Sequence, residues 1–114
     1  MRPDRERLLD IQDALDSIKE TIAGCSESEF LVGGRVYGAA AYYLSIVGEA
    51  VSRLSPELKA SHPMIEWRDI VGLRNLLVHA SFGIDRTMVW RVASAESPLL
   101  REQIARILEA ELEE

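Results

Sequence analysis

Apolar residues recur at helical spacing along most of the chain, and no stretch alternates apolar and polar residues as a surface strand does. The first segment, about Asp4–Ala23, has apolar residues every three or four positions, at Leu8, Ile11, Leu15, Ile18 and Ile22. This spacing predicts a helix with one apolar face. Gly24 ends the helix, and Cys25–Glu29 forms a polar connector in which Ser26 and Glu29 have the spacing of a capping box.

The rest of the pattern predicts further helices, separated by glycine and proline signals. They are expected at about Arg35–Leu54, between Ser55-Pro56 and His62-Pro63, at about Glu66–Ala80, from Asp85 or Thr87 to about Ala95, and from Ser97-Pro98 onward. The helix at Arg35–Leu54 is apolar most of the way round, so we expect its own domain and another subunit to bury it. At 114 residues, the chain is predicted to be a single domain over residues 1–114, with an all-α fold: a compact antiparallel bundle of about five helices.

Composition narrows the classes of function. The chain carries 13 Lys and Arg against 19 Asp and Glu, a formal net charge of −6, which argues against a protein that coats nucleic acid broadly but leaves room for a small site that binds one or two phosphates. Segment 66–91 is nevertheless net positive, with four basic and three acidic residues. The longest uncharged stretch near the middle, Val36–Gly48, has 13 residues and is too short to span a membrane. The single cysteine excludes a disulfide scaffold and, without a signal peptide, favours a cytoplasmic protein.

Four polar side chains interrupt the apolar run Ile70–Phe82, namely Arg74, Asn75, His79 and Ser81. An unpaired guanidinium, amide or imidazole is costly in apolar surroundings, so something is expected to face these groups. Asn75 and His79 lie one helical turn apart and share a face of the helix. Arg74 and His79 are about 140° apart around the helix, so only the long arginine side chain lets the two converge.

This combination of side chains suits RNA cleavage by attack of a 2′-hydroxyl on the neighbouring phosphate. His79 would move a proton near neutral pH, and Arg74 would hold the nonbridging oxygens as charge builds up. The nucleophile belongs to the RNA, and the chain has no cluster with metal-ligand spacing, so no metal or cofactor is expected. A purely structural interpretation stays open. Arg74 could pair with Glu49, Asn75 could bond a backbone carbonyl, and His79 could complement the helix dipole.

The same part of the chain carries a resemblance to a known family. The stretches that carry it are Ile46–Ala50, Trp67–His79, Phe82–Asp85 and Val89-Trp90. They resemble the HepT-like ribonuclease toxins of the HEPN superfamily, in order and over nearly the whole chain. The resemblance implies a helical homodimer in which two Arg-x4-His motifs meet at a cleft across the subunit boundary. It also implies metal-independent endoribonuclease activity on RNA, with tRNA a candidate target, and a nucleotidyltransferase antitoxin of the MntA type.

The resemblance implies roles for single residues as well. Arg74 and His79 become the catalytic pair, and Asn75 becomes a substrate-binding residue. Many relatives carry a tyrosine that the antitoxin adenylylates at the position of Ser81, so Ser81 is a candidate modification site. Serine lacks the ring that projects a phenol into the cleft, and this favours simple masking of the cleft by the partner. The alternative function is a non-catalytic helical adaptor that binds a nucleotidyltransferase.

Overall fold

The computed structural model describes residues 2–80 and 83–113, and its secondary structure consists of helices α1 to α7 with short connections. Their bounds are Arg2–Ile22 (α1), Glu27–Leu31 (α2), Arg35–Ser52 (α3), Pro56–Ser61 (α4), Trp67–His79 (α5), Arg86–Arg91 (α6) and Ser97–Glu113 (α7), with a π-helical turn at Val92–Glu96. No strand occurs within the described ranges. The predicted all-α fold is therefore confirmed.

Helices α1, α3 and α7 form the core, because α1 packs against both of the others. The predicted apolar face of α1 is confirmed, since four of its five residues are almost fully buried and the last, Ile22, is partly buried against the core. The core side chains from these helices include Leu8, Ile11, Leu15 and Ile18 of α1, Leu44, Val47 and Val51 of α3, and Ile104, Ile107 and Leu108 of α7. Much of the apolar surface of α3 is thus buried inside its own chain, as predicted. None of the described helices is both long and apolar enough to cross a membrane.

The polar connector after α1 contains a helix of its own, α2, which the sequence pattern did not predict. Its capping box forms, because the Ser26 hydroxyl accepts the Glu29 N–H at 3.2 Å and the Glu29 carboxylate accepts the Ser26 N–H at 3.0 Å. The carboxylate accepts a second bond from the Ser26 hydroxyl at 2.9 Å. The bond from the backbone N–H of Ser26, and then the bond from its hydroxyl, lower the pKa of the Glu29 carboxyl below 4.5. The side chain of Phe30 is fully buried against the ring of Trp90, with centroids 5.0 Å apart, and anchors this short helix.

The predicted break at Ser97-Pro98 is wrong, because α6, the π-helical turn and α7 form one continuous helix. The backbone N–H of Ser97 donates to the carbonyl oxygen of Val92, five residues back, instead of four. Proline has no N–H, and its ring would clash with the carbonyl of Ser94 in a regular α-helix. A π-helical turn is wider than an α-helical turn and accommodates the proline, so the helix continues through Pro98.

Helix α5, which carries the polar residues of the apolar run, is anchored at its first residue. Trp67 is 8% exposed, and its indole Nε1 donates to the carbonyl oxygens of Lys59 and His62 at 3.2 and 3.1 Å. The helix then packs along α3 and ends at His79, since Ala80 has an extended backbone conformation. The position of α5 on the fold is therefore set by its buried beginning and by α3.

Candidate active site

The Arg-x4-His motif lies on the C-terminal half of α5, at the surface of the protein. The side chain of Arg74 is 28% exposed, and Asn75 and His79 are exposed as well. Their apolar neighbours Leu76 and Val78 are also exposed, by 38% and 52%. The expectation of apolar surroundings for these polar groups is therefore wrong, because α5 packs chiefly against α3 and leaves its other side open.

The Cβ atom of Arg74 lies at a close contact between α5 and α3. A Cβ atom built on Gly48 would lie 2.1 Å from the Cβ of Arg74 and 3.1 Å from the carbonyl oxygen of Ile70. Carbon atoms that are not bonded to each other do not approach so closely in packed interiors. Glycine at position 48 is therefore what lets α5 lie so close to α3 at Arg74.

The guanidinium of Arg74 is held by two acceptors. Its Nη2 donates to Oε2 of Glu49 at 2.5 Å, and its Nη1 donates to Oδ1 of Asn75 at 2.7 Å. The pairing of Arg74 with Glu49, which the sequence left open, is thus confirmed. The oxygen of Asn75 faces the guanidinium, so the amide contributes to the site and not to a backbone bond.

A second arginine completes this cluster from α3. Oε1 of Glu49 accepts a hydrogen bond from Nε of Arg53 at 3.1 Å, and Nη2 of Arg53 lies 3.1 Å from the same oxygen. One carboxylate is thus shared by two guanidinium groups, which leaves the three side chains with a net charge of +1. Arg53 is not among the predicted site residues, although it follows Glu49 by four positions, a spacing typical of ion pairs on a helix.

His79 takes no part in this cluster. Its imidazole makes no hydrogen bond or ion pair with any residue in the ranges 2–80 and 83–113. Five positions separate it from Arg74, which is about 140° around α5, whereas Asn75 lies one turn before it on the same side. Within one chain, the structure joins Arg74 to Asn75 and leaves His79 open to solvent.

Two grooves flank α3, and neither is lined by the Arg-x4-His motif. A groove of about 340 Å³ between α1 and α3 is lined by residues that include Arg7, Tyr43, Glu49 and Arg53. A mainly apolar groove of about 370 Å³ lies between α3, α5 and the α6–α7 helix, next to Leu73. The motif is therefore a surface site that borders the first groove only through Glu49.

Two further predictions about the site concern Ser81 and metal ligands. Ser81 and its neighbour Phe82 lie outside the described residues. Within the part of the chain that the structure describes, no three His, Cys, Asp or Glu side chains lie together as a metal site. The side chains described at the candidate site are two arginines, a carboxylate, an amide and an imidazole.

The sequence matches a family model described as "Ribonuclease HepT-like" over residues 11–107. Among similar proteins, "Putative RNase TTE0752" of Caldanaerobacter subterraneus subsp. tengcongensis is 31% identical over 111 residues, which cover 97% of this chain and 99% of the relative. "Probable ribonuclease HepT" of Thermococcus cleftensis is 29% identical over 93% of this chain and 96% of its own length. "Putative RNase MJ1380" of Methanocaldococcus jannaschii is 28% identical over 85% of this chain and 89% of its own length. No solved structure matches at a significant level.

Proposed function

The chain belongs to the HepT-like ribonuclease family, and on this premise we propose that it is a metal-independent endoribonuclease that acts through Arg74, Asn75 and His79. The proposal rests on two side chains, Arg74 and His79, that have groups free to bind or to exchange a proton with a substrate. Arg74 uses two of its five N–H donors within the described residues, so three remain for the oxygens of a phosphate. The exposed imidazole of His79 makes no bond within the same residues and can exchange a proton with a substrate.

The proposed reaction uses a nucleophile within the RNA. The 2′-oxygen forms a bond to the adjacent phosphorus while the bond from phosphorus to the 5′-oxygen of the next nucleotide breaks. An imidazole accepts the proton of the 2′-hydroxyl, a protonated imidazole delivers a proton to the leaving 5′-oxygen, and the guanidinium of Arg74 binds the nonbridging oxygens. The products carry a 2′,3′-cyclic phosphate on one fragment and a 5′-hydroxyl on the other. Neither step requires a metal ion.

We also propose that the active form is a homodimer. Arg74 and His79 leave α5 in directions about 140° apart, so one copy alone does not direct both at the same phosphate. A twofold axis beside α5 would present the same patch twice and bring the Arg74 side chain toward His79 of the partner subunit. The exposed Leu76 and Val78, which lie between Arg74 and His79, provide apolar surface for such a contact.

The remaining parts of the proposal concern the partner and the substrate. Residues 1–114 act as a single HEPN-like domain, and a nucleotidyltransferase antitoxin of the MntA type silences it. Because the motif is exposed, such a partner can cover it directly, whereas modification of Ser81 is the other route. The candidate RNA is tRNA, and the setting of the pair is the cytoplasm.

The decisive experiment is cleavage of single-stranded RNA and tRNA by purified protein in the presence of EDTA. Wild type should cut RNA and leave 2′,3′-cyclic phosphate ends, and His79→Ala should cut it about 10²–10⁴-fold more slowly because an acid–base group is lost. His62→Ala is the matched control, since it removes the other histidine and should cleave as wild type does. Absence of cleavage by wild type in EDTA, or equal rates for wild type and His79→Ala, would refute the proposal.

One observation also fits the alternative function. The pair of Arg74 with Glu49 is what a non-catalytic adaptor would have if the arginine only joined α5 to α3. An adaptor would bind its nucleotidyltransferase partner through the same fold and leave RNA uncut. Expression of wild type and of His79→Ala without the partner separates the two, because only a ribonuclease toxin should arrest growth and only in the wild-type form.

A further inference from the structure

We infer that Glu49 is a positioning residue of the ribonuclease site, which fixes the guanidinium of Arg74 in the orientation that binds the scissile phosphate. The inference rests on the proposed function, because Glu49 acts only through Arg74 and does not touch the RNA in this account. It assigns a role in the reaction to a carboxylate from a helix other than the one that carries the motif.

The contacts of Glu49 differ from those of an ordinary surface ion pair. Each of its two carboxylate oxygens binds a different arginine: Oε2 accepts from Arg74 at 2.5 Å, and Oε1 accepts from Arg53 at 3.1 Å. Arg53 therefore holds the carboxylate from one side, and the carboxylate presents its other oxygen to Arg74. A carboxylate held in this way has less rotational freedom than one that binds a single partner.

The side chain of Arg74 is consequently fixed at both of its ends. Its Cβ lies over Gly48, and its Nη2 is bound by the next residue of α3, Glu49. Asn75 binds Nη1, so the plane of the guanidinium is set by two acceptors. The three N–H donors that remain then point in fixed directions, and catalysis gains most from donors that are oriented before the charge develops.

A role in stability alone explains this arrangement poorly. The side chains involved are 28% exposed for Arg74, 40% for Glu49 and 57% for Arg53, and ion pairs with this exposure contribute little to folding. A carboxylate beside a phosphate site also repels the substrate. Its presence there is understandable if the gain from orienting Arg74 exceeds this repulsion.

The first test measures the motion of the Arg74 guanidinium by ¹⁵N NMR of the arginine side chains in the full-length protein. Wild type should show slow rotation about the Nε–Cζ bond of Arg74, and Glu49→Gln should show fast rotation. Asp16→Asn is the matched control, because Asp16 pairs with Arg101 at a similar exposure and far from α5 in sequence. Fast rotation in wild type would overturn the inference without any variant.

The second test separates kcat from KM with RNA as substrate. For Glu49→Gln, kcat should fall by roughly 10- to 100-fold because the guanidinium is misplaced, and KM should stay unchanged or fall because a negative charge has been removed. Asp16→Asn should leave both constants unchanged. An unchanged or increased kcat in Glu49→Gln would overturn the inference, and so would a loss that lies in KM alone.

These outcomes distinguish the failure of the inference from the failure of the proposed function. If wild type cleaves RNA and Glu49→Gln cleaves it with the same kcat, the proposed function stands and the positioning role is refuted. If wild type does not cleave RNA, the proposed function fails, and the NMR comparison still decides whether Glu49 fixes Arg74. Thermal unfolding of Glu49→Gln and Asp16→Asn should give similar midpoints, which shows that a difference in kcat does not reflect loss of folded protein.

Discussion

Gly48 and Arg74 lie at a close contact between α3 and α5, since a Cβ atom at position 48 would lie 2.1 Å from the Cβ of Arg74. The glycine thus has two effects on the candidate site. It lets α5 lie close to α3, and it brings Arg74 within hydrogen-bond distance of Glu49, the residue after the glycine. A residue without functional groups is therefore a precondition for the geometry of the site.

Gly48→Ala should destabilise the protein by roughly 1–3 kcal/mol or more, because the added methyl group overpacks a close helix contact. The change should also reduce RNA cleavage, since the shift of α5 moves Arg74 away from Glu49. Gly38→Ala on the same helix is the control, because a Cβ there meets nothing within 4 Å. That control should be neutral or stabilising by about 0.5–1 kcal/mol, as alanine favours helices. Urea unfolding of both variants checks the prediction, and equal stabilities would contradict it.

Arg74→Ala should give a folded protein that does not cleave RNA. Alanine keeps the Cβ atom that packs over Gly48, and the lost ion pair is partly exposed and worth about 0–1 kcal/mol. Circular dichroism and thermal unfolding should therefore resemble wild type, while the cleavage rate falls below detection or by orders of magnitude. Unfolding of this variant, or loss of its nucleotidyltransferase complex while the wild type itself leaves RNA uncut, would instead favour the adaptor function.

The sequence predicts the long helices well, because the apolar residues that recur along each helix, such as Leu8 in α1 and Ile104 in α7, form its buried face. It predicts less well where packing decides the outcome. The α6–α7 helix continues through Pro98 because a π-helical turn absorbs the proline, and α2 forms because Phe30 finds a buried place beside Trp90. Neither the continuous helix nor the formation of α2 can be predicted from the local sequence.

The site follows the same rule. The residues Arg74, Asn75 and His79 stand out in sequence because they interrupt an apolar run. The sequence does not show that these side chains are exposed, because their exposure depends on which side of α5 is covered by α3. The role of Arg53 depends on a side chain 21 positions away along the chain, so only the folded arrangement links it to Arg74 through the shared carboxylate of Glu49.

Mixed dimers should test whether the site is shared between two copies. If Arg74 and His79 act across the subunit boundary, a dimer of one Arg74→Ala chain and one His79→Ala chain retains one arginine and one histidine and should regain part of the activity. Each variant alone should be inactive. Coexpression of the two with different affinity tags, and purification through both tags, isolates the mixed dimer for assay. No activity in the mixed dimer, with wild type active, would contradict a shared site.

Asp4→Ala should destabilise the fold by about 1–3 kcal/mol, because it removes the acceptor of two hydrogen bonds at a buried position. Asp4 is 3% exposed, and its carboxylate accepts from the backbone N–H of Ser55 at 2.9 Å and from the hydroxyl of Ser55 at 2.6 Å. These bonds tie the start of α1 to the start of α4. Asp10→Ala is the control, since Asp10 is exposed and lies 3.8 Å from Arg7 in a weak ion pair. Comparable losses of stability in both variants would argue against a special role for Asp4.

The capping box of α2 should lose stability in acid, and the pKa of Glu29 determines this direction of the pH dependence. This pKa is lowered from 4.5 in the folded protein by the bonds from Ser26, so the unfolded state binds the proton more readily. The stabilising contribution is therefore complete above 4.5 and is lost as pH falls through the lower pKa of the folded state. NMR titration of the Glu29 carboxyl should give a midpoint below 4.5, with lower protection of the Ser26 amide against hydrogen exchange below it. In Glu29→Gln, this acid dependence of the Ser26 amide should disappear, whereas a wild-type midpoint at or above 4.5 would contradict the assignment.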